Sequence, residues 1–408
     1  MLRALLLLCC LQSALLKDVE DPSWCVIDLS CAECTPDNMP LVTSARAADG
    51  TVRAAPGDEL ALSCGAGRFA AYPLRADLTV RCDAGRYRVA HDAALLSLLD
   101  LGCQENVYED VQHSVEHCGP PLQGRSYQLR AGGGARHLAA MCYDADRALP
   151  VFARVSSAGT LQLAPHADAR APLSLLGNFD QMFDAGTRHA AERLFADDAG
   201  LARRLREIMR PERFDFAGQK LTAGRLLSPL YFDDQDVRVA EFASNKMAVW
   251  RSVAEGNLAH LQADVAALLR GARRAGRAVD VYAGTSGAGA LRAAGGRRAL
   301  RLRGARFPVP RYVWAVVVDR AAGRSLAVAV LNDPFVAVSE VREAVFCDSL
   351  CGRAGWLREL RRLRGYEVPL YGLAFCCSLH NFTVPELPSA LLQHVRPGAE
   401  GLLTDFYT

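Results

Sequence analysis

The run LTAGRLLSPLYFDD at residues 221–234 has the form of a strand entering a catalytic turn, with a Leu-x-x-Gly start and a Leu-Ser-Pro finish. Two carboxylates, Asp233 and Asp234, stand just beyond and could hold a cation near the turn. A general base is missing before them: the run contains no histidine. Neither Arg225 nor Leu226 can act as one, because a guanidinium stays protonated and an alkyl group has no proton to exchange. Downstream stand the carboxamides of Asn245, Asn257 and Gln262 and the imidazole of His260. Cys31 and Cys34 form a CxxC, but no second CxxC or HxxxH follows at zinc spacing, which argues against a structural zinc.

Any such chemistry must be held by regular elements. Residues 184–195 and 199–212 place Leu and Ala at three- and four-residue spacing with Arg outward, and Pro211 stops the second run. Residues 255–276 begin polar, carry an apolar stripe and end in arginines, which suit a helix C-terminus. RVAEFAS (238–244), VDVYAGT (279–285), YVWAVVVD (312–319) and SLAVAVLND (325–333) are β-rich runs that would build a central sheet. Upstream, DELALSC, DLTVRC, RSYQLR and HLAAMCYD are short strand-like runs between Gly, Asp and Pro, while DAALLSLLD (92–100) could pass for a helix. The expected architecture is α+β, preceded by a small disulfide-stapled β-rich domain. The domain ranges are 17–150 and 151–408, with the boundary somewhere in 143–175.

The first sixteen residues, MLRALLLLCCLQSALL, join one positive charge to an apolar run too short to span a membrane, the pattern of a secretory signal peptide. Twelve cysteines follow it, an even set that in an exported chain reads as disulfides of open connectivity. Cys376 and Cys377 are neighbours, so each should bridge elsewhere, with Cys347 and Cys351 the nearest candidates. In that exported setting Asn381-Phe382-Thr383 is a glycosylation sequon. The net charge of +2 conceals a division: −7 over residues 17–150 and +8 over 151–408, nearly all from arginine. Residues 291–311 hold seven arginines, and Arg297, Arg298, Arg301 and Arg303 are the candidate phosphate contacts on a basic loop or hairpin.

From residue 178 onward the order of landmarks resembles the DNA/RNA non-specific endonuclease family, in particular its secreted invertebrate double-stranded-RNA nuclease branch. The landmarks are FDQMFDAGTRHAAERLF, LTAGRLLSP, the helix at 255, VDVYAGTSG, FPVPRYVWAVVVD, LNDP with FCDSLCGRAGW, and GYEVPLYGLAFCCSLHNFTVPELP. Upstream, DNMPLVTSARAADGTVRAAPGDELALSC is similar to the β-rich amino-terminal segment of the same proteins. The resemblance implies a ββα-metal nuclease domain with a central antiparallel sheet and flanking helices. It also implies a histidine that activates water, and one Mg²⁺ held by a helix-borne asparagine with a glutamate farther along.

Carried over residue by residue, those roles are substituted. The histidine position falls on Leu226, or on Arg225 if the register slides by one. The family's first asparagine is kept as Asn245, the metal asparagine reads Ala254, and the glutamate reads Gln262. Asn257 follows Ala254 by three residues, roughly 60° around a helix, and is either a substitute ligand or a polar residue on an exposed first turn. His260 falls on the opposite side as a surface histidine. Three functions remain open. One is a secreted pseudonuclease that binds double-stranded RNA or DNA by backbone contacts. The others are an active Mg²⁺-dependent endonuclease with relocated ligands, and an extracellular interaction protein with no nucleic-acid role.

Overall fold

The computed structural model describes residues 23–29, 31, 34–36, 38–45, 50–131, 134–163, 182–210, 214–362, 365–384, 386, 391, 395 and 401–405. The expected signal peptide lies outside these residues. The chain divides into two compact units, Met1–Val107 and Tyr108–Thr408. Among the described residues no helix is long and apolar enough to cross a membrane.

The amino-terminal unit is β-rich. Strands β1 (Cys25–Asp28) and β3 (Thr51–Ala54) pair with each other, while β2 (Leu41–Val42), β4 (Glu59–Ser63), β5 (Asp77–Asp83), β6 (Arg86–Val89) and β7 (Leu95–Leu96) form a sheet in that order. The sequence dictates this through strict alternation: Leu78, Val80 and Cys82 of β5 are buried while Asp77, Thr79 and Arg81 face solvent. Disulfides Cys25–Cys82, Cys31–Cys34 and Cys64–Cys103 staple the small core. The 92–100 run is no α-helix. It supplies β7 and a 3-10 turn, closed locally because the Asp100 carboxylate accepts the Ser97 N–H at 3.0 Å and its hydroxyl at 2.7 Å.

In the carboxy-terminal unit the main sheet starts earlier than expected. Strands β8 (Tyr108–Gln112), β9 (Gln123–Ala131), β10 (Gly134–Asp144) and β11 (Leu149–Ser156) are continuous with β14 (Asp280–Ala288), β19 (Pro310–Asp319), β20 (Arg324–Leu331) and β21 (Ala374–Cys377), each antiparallel to its neighbour. β22 (Gly401–Leu402) adds a short parallel pairing to β20. The division between units thus falls at 107/108 and not near 150, because β11 pairs with β14 from Phe152↔Gly284 to Ser156↔Asp280. Gly284 admits the ring of Trp314, since a Cβ there would stand 2.0 Å from it.

Helices α1 (Ala185–Phe195) and α2 (Asp198–Met209) begin at Asp184 and Asp197, whose carboxylates accept N–H groups of Thr187 and Gly200. Between them and the sheet strands lies the pair β12 (Leu221–Arg225) and β13 (Lys246–Trp250), followed by α3 (Arg251–Ala254) and α4 (Asn257–Arg274). α4 buries Leu258, Leu261, Val265, Leu268 and Leu269, the stripe read from the sequence. Shorter helices α5 (Val338–Ala344) and α6 (Arg358–Arg362) follow. The four clustered cysteines bridge among themselves as Cys347–Cys377 and Cys351–Cys376, and Cys118–Cys142 ties into β10.

One polar assembly lies inside this unit. Arg125 on β9 is 1% exposed, and its Nε donates to both oxygens of Asp110 on β8 at 2.8 and 3.0 Å. Ser244, just before β13, donates to the same carboxylate at 2.6 Å and lies 2.6 Å from the Tyr127 hydroxyl. Arg125→Leu should destabilise the protein by about 3–5 kcal/mol, because it leaves a buried carboxylate unpaired. The double variant Arg125→Leu with Asp110→Leu should recover much of that loss. Urea unfolding of the two variants beside the wild type checks both expectations.

Candidate functional site

β12 and β13 run antiparallel from Leu221↔Trp250 to Arg225↔Lys246 and lead directly into α3 and α4, giving the order strand, strand, helix. Gly224 lets the strands close on each other, since a Cβ there would lie 2.4 Å from a Val249 methyl. The hairpin is fixed to the sheet by an amide: Asn332 Oδ1 accepts the Trp250 N–H at 3.0 Å while Nδ2 donates to Pro310 O at 2.9 Å. Gly256 separates α3 from α4 where the chain meets the loop before β21. A Cβ at Gly256 would come within 2.8 Å of Tyr371 O.

The structure gathers several of the sequence-predicted positions here and gives each a structural bond. Arg225 pairs with Glu241 at 2.7 Å, and its backbone carbonyl accepts the Gln262 amide at 3.0 Å. Leu226 is 1% exposed, whereas the Arg225 side chain is 40% exposed. Position 225 therefore faces the accessible side of the strand, and 226 faces the core. Asn245 is fully buried: Nδ2 donates to Leu227 O at 2.9 Å and Ala240 O at 2.8 Å, while Oδ1 accepts the Leu227 N–H at 2.8 Å. These bonds also explain why 238–244 is not a strand. The segment coils into 3-10 turns, Asp234–Glu241 and Ala243–Asn245, around the Asn245 amide.

Asn257 is 1% exposed and not on an open first turn. Its Nδ2 donates to Gly365 O at 2.9 Å and Gly372 O at 2.6 Å, and its buried Oδ1 accepts no hydrogen bond from a described residue. Ala254 and His260 are half-buried. Burial pushes the Lys246 ammonium below the ordinary lysine value; Glu241 opposes this and Arg225 adds to it. Asp233 pairs with Arg273 of α4, and Asp234 takes a left-handed backbone with φ 51°. Asp236, which the sequence did not single out, accepts from Tyr108 at 2.9 Å and Arg136 at 2.8 Å. Burial raises its carboxyl above the usual range against the pull of Arg136.

The fit to magnesium can be tested on these contacts. Mg²⁺ takes oxygen ligands in near-octahedral geometry. Position 254 offers a methyl group, Gln262 donates its amide to a carbonyl, and both polar atoms of Asn245 are bound to backbone. Among the described residues no group of three His, Cys, Asp or Glu could hold a metal. Position 254 therefore supplies no side-chain oxygen, and the Asn245 oxygen is already taken by the Leu227 N–H.

The arginine-rich segment forms two hairpins, β15 (Ala290–Ala293) with β16 (Gly296–Ala299) and β17 (Arg301–Arg303) with β18 (Arg306–Pro308). Leu291, Leu300, Leu302 and Phe307 are buried between the arginines, so the alternation is that of a half-buried strand. Arg297 reaches Glu340 at 2.9 Å and Asp333 at 3.2 Å, Arg298 donates to Ile208 O at 2.8 Å, and Arg303 donates to Gly186 O. Arg301 is exposed.

No family model matches the chain, and no curated protein matches it by sequence. A solved structure described as the EndoG/EndoGI complex, concerned with the mechanism of EndoG inhibition, is similar at 12% identity and a TM-score of 0.26. That likeness covers 48% of this chain and 71% of the other. Agreement this loose fixes neither fold nor function.

Asn245 is a structural brace on this geometry. Asn245→Ala should lower stability by about 2–4 kcal/mol, since it leaves buried backbone groups unsatisfied. Adding MgCl₂ should move the Tm of neither wild type nor variant, as differential scanning fluorimetry with and without EDTA will show. A magnesium-dependent rise confined to the wild type would instead make Asn245 a ligand.

Proposed function

We propose that the chain is an exported pseudonuclease, related to the DNA/RNA non-specific endonucleases, that holds nucleic acid by its backbone without cutting it. One observation carries this reading: in the strand–strand–helix unit, the positions where the resemblance implies catalytic and metal-binding groups hold residues engaged in structure. Arg225 is ion-paired, Leu226 is core, Asn245 and Gln262 bond to backbone, and Ala254 has no ligand atom. Loss of a general base alone removes roughly 10²–10⁴-fold of rate. The six disulfides support export.

Binding rests on fewer arginines than the sequence count implies. Arg297, Arg298 and Arg303 already serve protein acceptors, which leaves Arg301 as the cleanest of the four to face a phosphate. A backbone contact of this kind carries no base readout and weakens with salt. Arg301→Gln should weaken binding of long double-stranded RNA and reduce the slope of log K against log salt by about one. Unchanged affinity would move the interface elsewhere. Absence of any salt-dependent shift with the wild type would favour an extracellular interaction protein without nucleic acid.

The catalytic expectation is tested by restoration. Wild type should show no magnesium-dependent cleavage of plasmid DNA or double-stranded RNA. Arg225→His, Ala254→Asn and Gln262→Glu should each do almost nothing alone, and together should produce measurable nicking. The parallel set with Arg225→Gly and Leu226→His should unfold more readily and cut less, because residue 226 points into the core. Robust wild-type cleavage abolished by EDTA would overturn the pseudonuclease reading. Lys246, whose ammonium is held low by burial opposite Arg225, would then be the first base to replace, and Asn257 the first ligand.

A further inference from the structure

The whole sequence contains a single Asn-x-Ser/Thr triplet, Asn381-Phe382-Thr383. Its placement is specific. β21 ends at Cys377, and the chain then turns so that the Asn381 N–H donates to Ser378 O at 3.1 Å and to Ser378 Oγ at 3.4 Å. Asn381 and Thr383 are both exposed, whereas Phe382 between them is fully buried. The Phe382 ring packs edge-on against Trp314 at 5.9 Å and Phe346 at 5.8 Å between centroids. One aromatic side chain thus fixes the triplet and turns its two polar members outward. The Asn381 side-chain amide makes no hydrogen bond to any described residue, so a substituent there breaks none of these contacts. Cys376 and Cys377, just upstream, are both in disulfides, the chemistry of an oxidising compartment.

We infer that Asn381 carries the chain's one N-linked glycan. The donor is a lipid-pyrophosphate-linked oligosaccharide. The Asn381 amide nitrogen bonds to the anomeric carbon as the bond from that carbon to pyrophosphate oxygen breaks. One amide proton is lost, and the lipid pyrophosphate leaves. No electrons are transferred. The inference needs export but not the nuclease reading, so either can fail without the other.

The test uses the full chain expressed with its own leader in a eukaryotic secretory host. The secreted protein should run as one species that shifts down by a single step on treatment with peptide-N-glycosidase F. The sequon peptide should carry the deamidation mark left by the enzyme. Asn381→Gln and Thr383→Ala should both abolish the shift, while Thr383→Ser should retain it. All three should keep the disulfide map, because none touches Phe382. A secreted, disulfide-bonded chain with an unmodified sequon peptide would overturn the glycan alone. A chain retained in the cell with free thiols and no adduct would overturn export and glycan together.

Discussion

The buried contact between Asp110 and Arg125 is the constraint on which the carboxy-terminal unit turns. A carboxylate and a guanidinium enclosed together lose most of their hydration, so they stay only where geometry and further hydrogen bonds compensate. Here the further bond comes from Ser244, and that choice has structural reach. Ser244 and Asn245 are adjacent: one reaches into β8 and β9, the other clasps Leu227 and Ala240. Two consecutive polar residues therefore locate the β12–β13 hairpin against the sheet. Asn332 completes the mounting from the opposite end of β13. A hairpin held at both ends by buried hydrogen bonds keeps its shape whichever side chains line its accessible face.

The same logic governs the arginines. A run of seven within 21 residues reads as a phosphate-binding stretch when the sequence is taken alone. In the fold, alternate positions are core leucines and most of the arginines have protein partners. Arg297 neutralises Asp333 and Glu340, and Arg306 lies 2.8 Å from the Thr187 hydroxyl. Much of the positive charge of this unit is internal cross-bracing, and a formal charge count overstates what a polyanion would meet.

What the sequence revealed, and what it hid, follows from the range of the interactions. α1, α2 and α4 were legible because their apolar stripes repeat every three or four residues and their ends carry caps or arginines. β19 and β20 were legible as long Val- and Ala-rich runs. β13 was not, because KMAVW is short and buried on both sides, with no alternation to mark it. The boundary near 150 followed the cysteines, which continue to Cys142, whereas β8–β11 belong to the second unit through pairing with a strand more than a hundred residues away. That positions 225, 226, 254 and 262 carry neither a general base nor a carboxylate could be read from the residues themselves. The roles of Asn245 and Asn257 could not, since the carbonyls that engage them are brought close only by the tertiary fold.

Asn257 also has a mechanical meaning. Its single amide nitrogen holds the carbonyls of Gly365 and Gly372, both ends of an eight-residue loop that displays Val368, Leu370 and Tyr371 to solvent. A loop pinned at one end can swing about the pin; one gathered at both ends by the same atom behaves as a closed ring. The ring is fastened to the first residue of α4, so opening it means releasing the head of that helix. The apolar rim it presents is then a rigid edge whose outline is set by the helix beneath it.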